Sequence, residues 1–151
     1  MPMPTGDKPP LSWRGSRTVA NILLIEDHRV VRDALSDALE SVGHTVVPAE
    51  NGDIGLEEIA HRDVDIVVTD LLMPERDGFE VLKQLHGHKP ELPVVVLSGG
   101  GSMRGPDLLE MARALKADVT LAKPVDSDEL LAAVDYLMKR GAAPAVTAQL
   151  R

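Results

Sequence analysis

Four short apolar runs each end in a residue with usable chemistry. NILLI is followed by Glu26 and Asp27, DIVVTD closes on Asp70, PVVVLS on Ser98, and DVTLAK on Lys123 with Pro124 next. Singly, such residues are commonplace: an acid after a strand caps a helix or shapes a turn, Ser does the same, and Lys-Pro is an ordinary exit from a strand. Together they mean more if the runs are parallel strands, because the carboxyl ends then meet at one edge of a sheet, where ligands of such sheets sit. Three carboxylates, a hydroxyl and an ammonium would share one shallow cleft. Crowded carboxylates raise one another's pKa and cost stability unless a cation lies among them. Oxygen donors without His or Cys favour Mg²⁺ or Mn²⁺, ions that keep several waters and accept a phosphoryl oxygen. In that setting Lys123 supplies a point charge, the Ser98 hydroxyl a directed hydrogen bond, and the central Asp70 is placed to attack phosphorus.

The elements that must position these groups follow from the hydrophobic period. VANILLI is a continuous apolar run; Val30, Val31, Ala34, Leu35, Ala38, Leu39 and Val42 then recur at helical spacing up to Gly43. HTVVPA predicts a second strand, and Asn51-Gly52 with Ile54, Leu56 and Ile59 a turn and a short helix. DIVVTD and GFEVLKQL predict the third strand and helix, PVVVLS the fourth strand, and PDLLEMARALK a helix with Pro106 at its first position. DVTLAK is the fifth strand. A last helix starts at Asp126, with Glu129 in capping-box spacing, and buries Leu130, Leu131, Val134, Leu137 and Met138. Alternating strands and helices imply parallel pairing, right-handed crossovers and helices on both faces, an open α/β sandwich.

Composition bounds the rest. A chain of 151 residues has the length for one full core, and the expected division is a tail over 1–17, a domain over 18–140 and a second tail over 141–151. One Trp, one Tyr and one Phe leave little aromatic stacking to work with, and a net charge of −8 repels phosphate backbones, so nucleic acid is not an expected partner. The absence of Cys excludes thiolate chemistry. No run reaches the about 18 apolar residues of a membrane span, and the N-terminal segment has no signal-peptide core, so a cytoplasmic protein without a membrane partner is expected. Trp13 sits alone in the first tail, and the five His residues show no zinc spacing.

In order and separation, Glu26-Asp27, Asp70 within DLLMPERDG, Ser98-Gly99 and Lys123-Pro124 closely resemble the receiver domain of bacterial two-component response regulators, over about Thr18 to Arg140. The resemblance implies a flavodoxin-like three-layer sandwich: a five-stranded parallel sheet in the order 2-1-3-4-5 with five helices. It makes Asp70 the acceptor of a phosphoryl group from a sensor histidine kinase or histidine phosphotransferase. Asp27 would bind Mg²⁺ directly, Glu26 through a metal-bound water, and the backbone carbonyl of Leu72 would be a further ligand. Ser98 would hydrogen-bond the phosphoryl group and Lys123 would pair with it. A cis Lys123-Pro124 peptide is implied as well. Partners would be that kinase or phosphotransferase and a downstream protein target, read through the fourth helix, fifth strand and fifth helix. Only about a dozen residues follow the last helix, so no output domain is expected.

Three departures from the family pattern stand out. Thr120 occupies the position usual for an aromatic residue coupled to the active-site Ser or Thr. GGGSMRG after Ser98 is a long glycine-rich loop, but no G-K-[ST] follows it, so nucleotide binding is not expected. Leu72 places an apolar side chain beside the acyl phosphate. Two rival readings remain: a haloacid-dehalogenase-type phosphatase, which needs a second Asp where Leu72 stands, and a receiver that binds partners without phosphorylation. The reading adopted is a signalling domain and not an enzyme.

Overall fold

Strand β1 (Asn21–Ile25) is followed by α1 (Arg29–Ser41), β2 (Thr45–Ala49), α2 (Gly52–His61), β3 (Ile66–Asp70), α3 (Gly78–His88), β4 (Val94–Ser98), β5 (Val119–Ala122), α4 (Ser127–Arg140) and a two-residue β6 (Ala148–Gln149). The computed structural model describes residues 19–71, 78–98, 116–140 and 148–149. All strands pair in parallel, in the order β2-β1-β3-β4-β5-β6. The first five follow the order that the family resemblance implies. The sixth lies in the segment expected to be a tail. Without β6 the outer edge of β5 would carry unpaired backbone groups; Arg140 at the end of α4 bonds Asp118 at the foot of β5, so α4 ends beside the edge along which β6 pairs. All but the last residue of the helix expected over 106–116, the glycine-rich loop, Trp13 and Leu72 fall outside the described residues, among which there are four helices.

Alternate strand residues point to opposite faces, and both faces are covered. Leu23, Ile25, Val67, Val94 and Val96 pack with Ile59 of α2 and Val81, Leu82 and Leu85 of α3. Ile22, Leu24, Ile66, Val68, Val95, Leu97, Val119 and Leu121 pack with Leu35 and Leu39 of α1 and with Leu130, Val134, Leu137 and Met138 of α4. Each such side chain contributes about 1.5–3 kcal/mol when fully buried, which is why β1, β3 and β4 read as unbroken apolar runs. The stripe of α1 is narrower than its sequence suggests: Val30 and Val42, at its two ends, stay exposed. Gly55 of α2 lies so near β1 that a Cβ there would stand 2.5 Å from Ile25 Cδ1, which seats the helix directly on the strand that leads to Glu26.

Local signals set the helix ends. The Asn51 side chain accepts the Ile54 amide at 2.9 Å, and the Asp126 carboxylate accepts that of Asp128 at 2.7 Å. Gly43, at φ 99°, ends the turn after α1 in a conformation that a side chain would strain.

Polar side chains secure the strand starts, at the edge opposite the carboxyl ends. Asp65 Oδ2 accepts the Asn21 amide and Asp118 Oδ2 the Val94 amide, each at 2.8 Å. His44 Nδ1 accepts the Ala20 amide at 3.0 Å, a role open only to a ring unprotonated at that nitrogen. Burial pushes the His44 pKa down, against an opposing pull from Asp135. Because the folded-state pKa lies below the unfolded one, the associated stability is fully present above pH 6.5, the ordinary value, and is lost as pH falls through the folded pKa. Urea unfolding at about pH 7.5 and about pH 5.5 is expected to show a larger loss for wild type than for His44→Asn, which cannot titrate there; equal losses would refute this role for the imidazole.

Thr120 is 2% exposed, and its Oγ1 has no hydrogen-bond partner among the described residues. A buried hydroxyl in that state costs about 1–3 kcal/mol. Thr120→Val keeps the branched shape and removes the orphan group, so stability in urea is expected to rise by about 1 kcal/mol; a fall of that size would show that the hydroxyl does useful bonding in the folded protein.

Candidate acidic active site

The carboxyl ends of β1, β3, β4 and β5 form one rim. Glu26 continues the ladder one step past β1, its amide donating to Ala49 O at 3.0 Å, and its side chain is fully buried. Asp27 follows at an exposed position. Asp70 is the last residue of β3 and is 5% exposed. Ser98 ends β4, in register with Ala122 of β5. The next residue, Lys123, donates its amide to Ser98 O at 2.7 Å, which ties those two strand ends together, and the Lys123-Pro124 peptide is cis.

The side chains meet around one ammonium. Lys123 Nζ lies 2.8 Å from Asp70 Oδ2 and 3.3 Å from Glu26 Oε2. Glu26 Oε1 accepts the His28 amide at 3.2 Å. Glu26, Asp27 and Asp70 can each offer an oxygen within 4.8 Å of the others. Burial and then the charge of Asp70 raise the Glu26 pKa, and Lys123 and the His28 amide only partly offset them. Burial alone would lower the pKa of Lys123, but the hydrogen bond and charge of Asp70, followed by those of Glu26, carry it above its ordinary value. Lys123 therefore stays charged and pairs with Asp70 and Glu26, and Asp27 adds a third carboxylate to the group, so that among the described residues the acidic groups outnumber the amine between them.

That imbalance is what a divalent cation would relieve. A donor set made of carboxylates suits Mg²⁺ or Mn²⁺.

Of the residues singled out from sequence, Glu26, Asp27, Asp70, Ser98 and Lys123 all lie on this rim, while the carbonyl of Leu72 falls outside the described residues. One participant was missed. Arg32, in the first turn of α1, reaches back so that Nη1 lies 2.8 Å from Glu26 O and 3.5 Å from Asp27 O. A basic residue one turn into the helix after an acidic pair is the only sequence signal for it.

Comparison with known proteins agrees with this geometry. The family model described as response regulator receiver domain matches residues 22–135. Transcriptional regulatory protein GlrR of Escherichia coli (strain K12) is 35% identical over 127 residues, 84% of this chain and 28% of that protein. Response regulator MprA of Mycobacterium tuberculosis (strain ATCC 25177 / H37Ra) is 37% identical over 121 residues, 79% of this chain and 50% of that protein. The chain thus spans half or less of the length of these curated relatives. A response regulator receiver domain protein from Clostridium thermocellum superposes with a TM-score of 0.73 at 28% identity, covering 80% of this chain and 95% of that one. Full-length FixJ from B. japonicum gives 0.72 at 29% identity, covering 83% and 60%. With a parallel sheet in this order, an acidic rim around a lysine, and relatives of this kind, the chain belongs to the response regulator receiver domain family.

Proposed function

We propose that this receiver accepts a phosphoryl group on Asp70 from a phosphohistidine of a sensor kinase or histidine phosphotransferase. A carboxylate oxygen of Asp70 attacks phosphorus; the O–P bond forms as the P–N bond to the donor imidazole breaks, and the nitrogen keeps the bonding pair. The observation that carries this reading is the Lys123 ammonium seated between Asp70 and Glu26, at 2.8 and 3.3 Å. There it can follow charge from the carboxylate onto the arriving phosphoryl oxygens. Ser98, on the neighbouring strand end, is positioned to donate to one of those oxygens.

Asp27 would hold Mg²⁺ or Mn²⁺ with Asp70, Glu26 would act through a water, and the Leu72 carbonyl is the further ligand that the family resemblance implies. When bound, the ion would neutralise charge on the transferring group. The protein's own part is to hold the carboxylates close and to keep Lys123 protonated.

Phosphorylation adds charge and acceptor oxygens at the rim. Moving a two-state element from almost wholly off to almost wholly on takes about 5.5 kcal/mol, within reach of a few charge-assisted hydrogen bonds at about 1.5–3 kcal/mol each. The output we propose is a protein contact in the cytoplasm, made on the side of β5 and α4. The net charge of −8 argues against this receiver itself touching nucleic acid. GlrR is described as a transcriptional regulator, a property of that longer protein. Among the described residues no helix is long and apolar enough to cross a membrane.

Incubation with acetyl phosphate and Mg²⁺, followed on a phosphate-affinity gel, tests the reading. Wild type is expected to give one slower band that needs the metal, Asp70→Asn none, and Lys123→Ala a rate lower by about 10²-fold. A wild-type chain that never shifts would leave the reading of a partner-binding receiver that is not phosphorylated.

A further inference from the structure

The β1–α1 turn places two of the three carboxylates, yet little in its own sequence stiffens it. The residue before α1, His28, makes no side-chain cap, and the first turn of the helix holds no acid. Glu26 has side-chain anchors, with Oε1 on the His28 amide and Oε2 on Lys123. Asp27 differs: among the described residues no donor holds its exposed carboxylate. Where that carboxylate stands is therefore set by the backbone alone.

That backbone is held by Arg32. The guanidinium is half-buried, and Nη1 lies 2.8 Å from the Glu26 carbonyl and 3.5 Å from that of Asp27. Glu26 is the last residue whose amide joins the ladder, so its carbonyl is at the point where the strand stops supplying partners. One guanidinium nitrogen shared between two successive carbonyls, close at Glu26 and weak at Asp27, restrains the peptide between them, and with it the directions of both Cα–Cβ bonds. We propose that Arg32 is a positioning residue for cation binding, acting on Asp27 and Glu26 through their main chain and touching neither metal nor phosphoryl group.

The inference rests on the reading of the rim as a divalent-cation site, and two opposed effects make it testable. As a positive charge near the cluster, Arg32 should weaken Mg²⁺ binding; as a brace on the turn, it should strengthen it. Removing a partner that orients metal ligands typically costs 10–100-fold in affinity. Calorimetric titration of the full chain with MgCl₂ separates the two. If the brace dominates, Arg32→Met weakens Mg²⁺ by about tenfold, and Arg32→Lys, which keeps the charge but carries it on a shorter side chain less able to reach back to the turn, falls between it and wild type. If charge alone matters, Arg32→Met binds tighter and Arg32→Lys matches wild type, which overturns the proposal; unchanged affinity in both variants overturns it too. A wild-type chain with no Mg²⁺ affinity overturns the site reading itself. Far-UV circular dichroism guards against an unfolded Arg32→Met, and Arg32→Lys alone still decides the sign if that variant does not fold.

Discussion

The crowding of like charge at the carboxyl rim is the constraint around which the rest of the molecule is arranged. Glu26 and Asp70 are almost fully buried, and Asp27 can bring an oxygen within 4.8 Å of theirs. A fold selected only for stability would disperse such a group. Here Lys123 supplies part of the compensation, and the Glu26 carboxyl, raised first by burial and then by the charge of Asp70, is only partly relieved by it. The remainder is the electrostatic room into which a divalent ion, and then a phosphoryl group with its ion, can fit. A neutral or fully paired rim would be more stable and would have no such capacity.

Holding that rim together requires strands that cannot slide. Both faces of β1, β3 and β4 are buried, so a one-residue slip of any of them would send its side chains to the wrong layers and carry its terminal acid or hydroxyl off the edge. The opposite edge adds direct bonds: Asp65 ties β3 to the start of β1, Asp118 ties β5 to β4, and His44 ties the start of β2 to the residue before β1. Arg140 in turn bonds Asp118 across a nearly dry contact. The polar groups at the strand starts bond backbone amides and hold register, whereas the carboxylates at the strand ends crowd around Lys123.

Much of this was legible in the sequence because the signals were periodic or terminal. Unbroken apolar runs gave the buried parallel strands, and the type of residue that closed each run placed Glu26, Asp27, Asp70, Ser98 and Lys123 on one rim. The misses share another cause. Arg32 acts on carbonyls, and carbonyls have no residue type to read. His44 looks like any histidine before a strand until the fold brings the Ala20 amide to its Nδ1. Strand β6 depends on where α4 delivers the chain, a property of tertiary geometry and not of the residues at 148–149. Val30 and Val42 matched the helical period yet remain exposed, since a stripe covers core only as far as the helix overlies the sheet.

Thr120 bears on how events at the rim could travel outward. Its register partner is Val96, two residues before Ser98, so Thr120 lies one pleat below Ser98 on the same face of the sheet. The family usually has an aromatic residue at this position, whose rotation exchanges a large volume. A threonine has only a hydroxyl and a methyl to exchange, and this one already sits in the core with no partner for its oxygen among the described residues. Rotation about its χ1 can reassign a hydrogen bond but cannot open or fill a cavity of aromatic size. Among the described residues, Ser98 is joined to β5 by the backbone of the two strands, which pair in register and are tied at their ends by the bond from the Lys123 amide to Ser98 O.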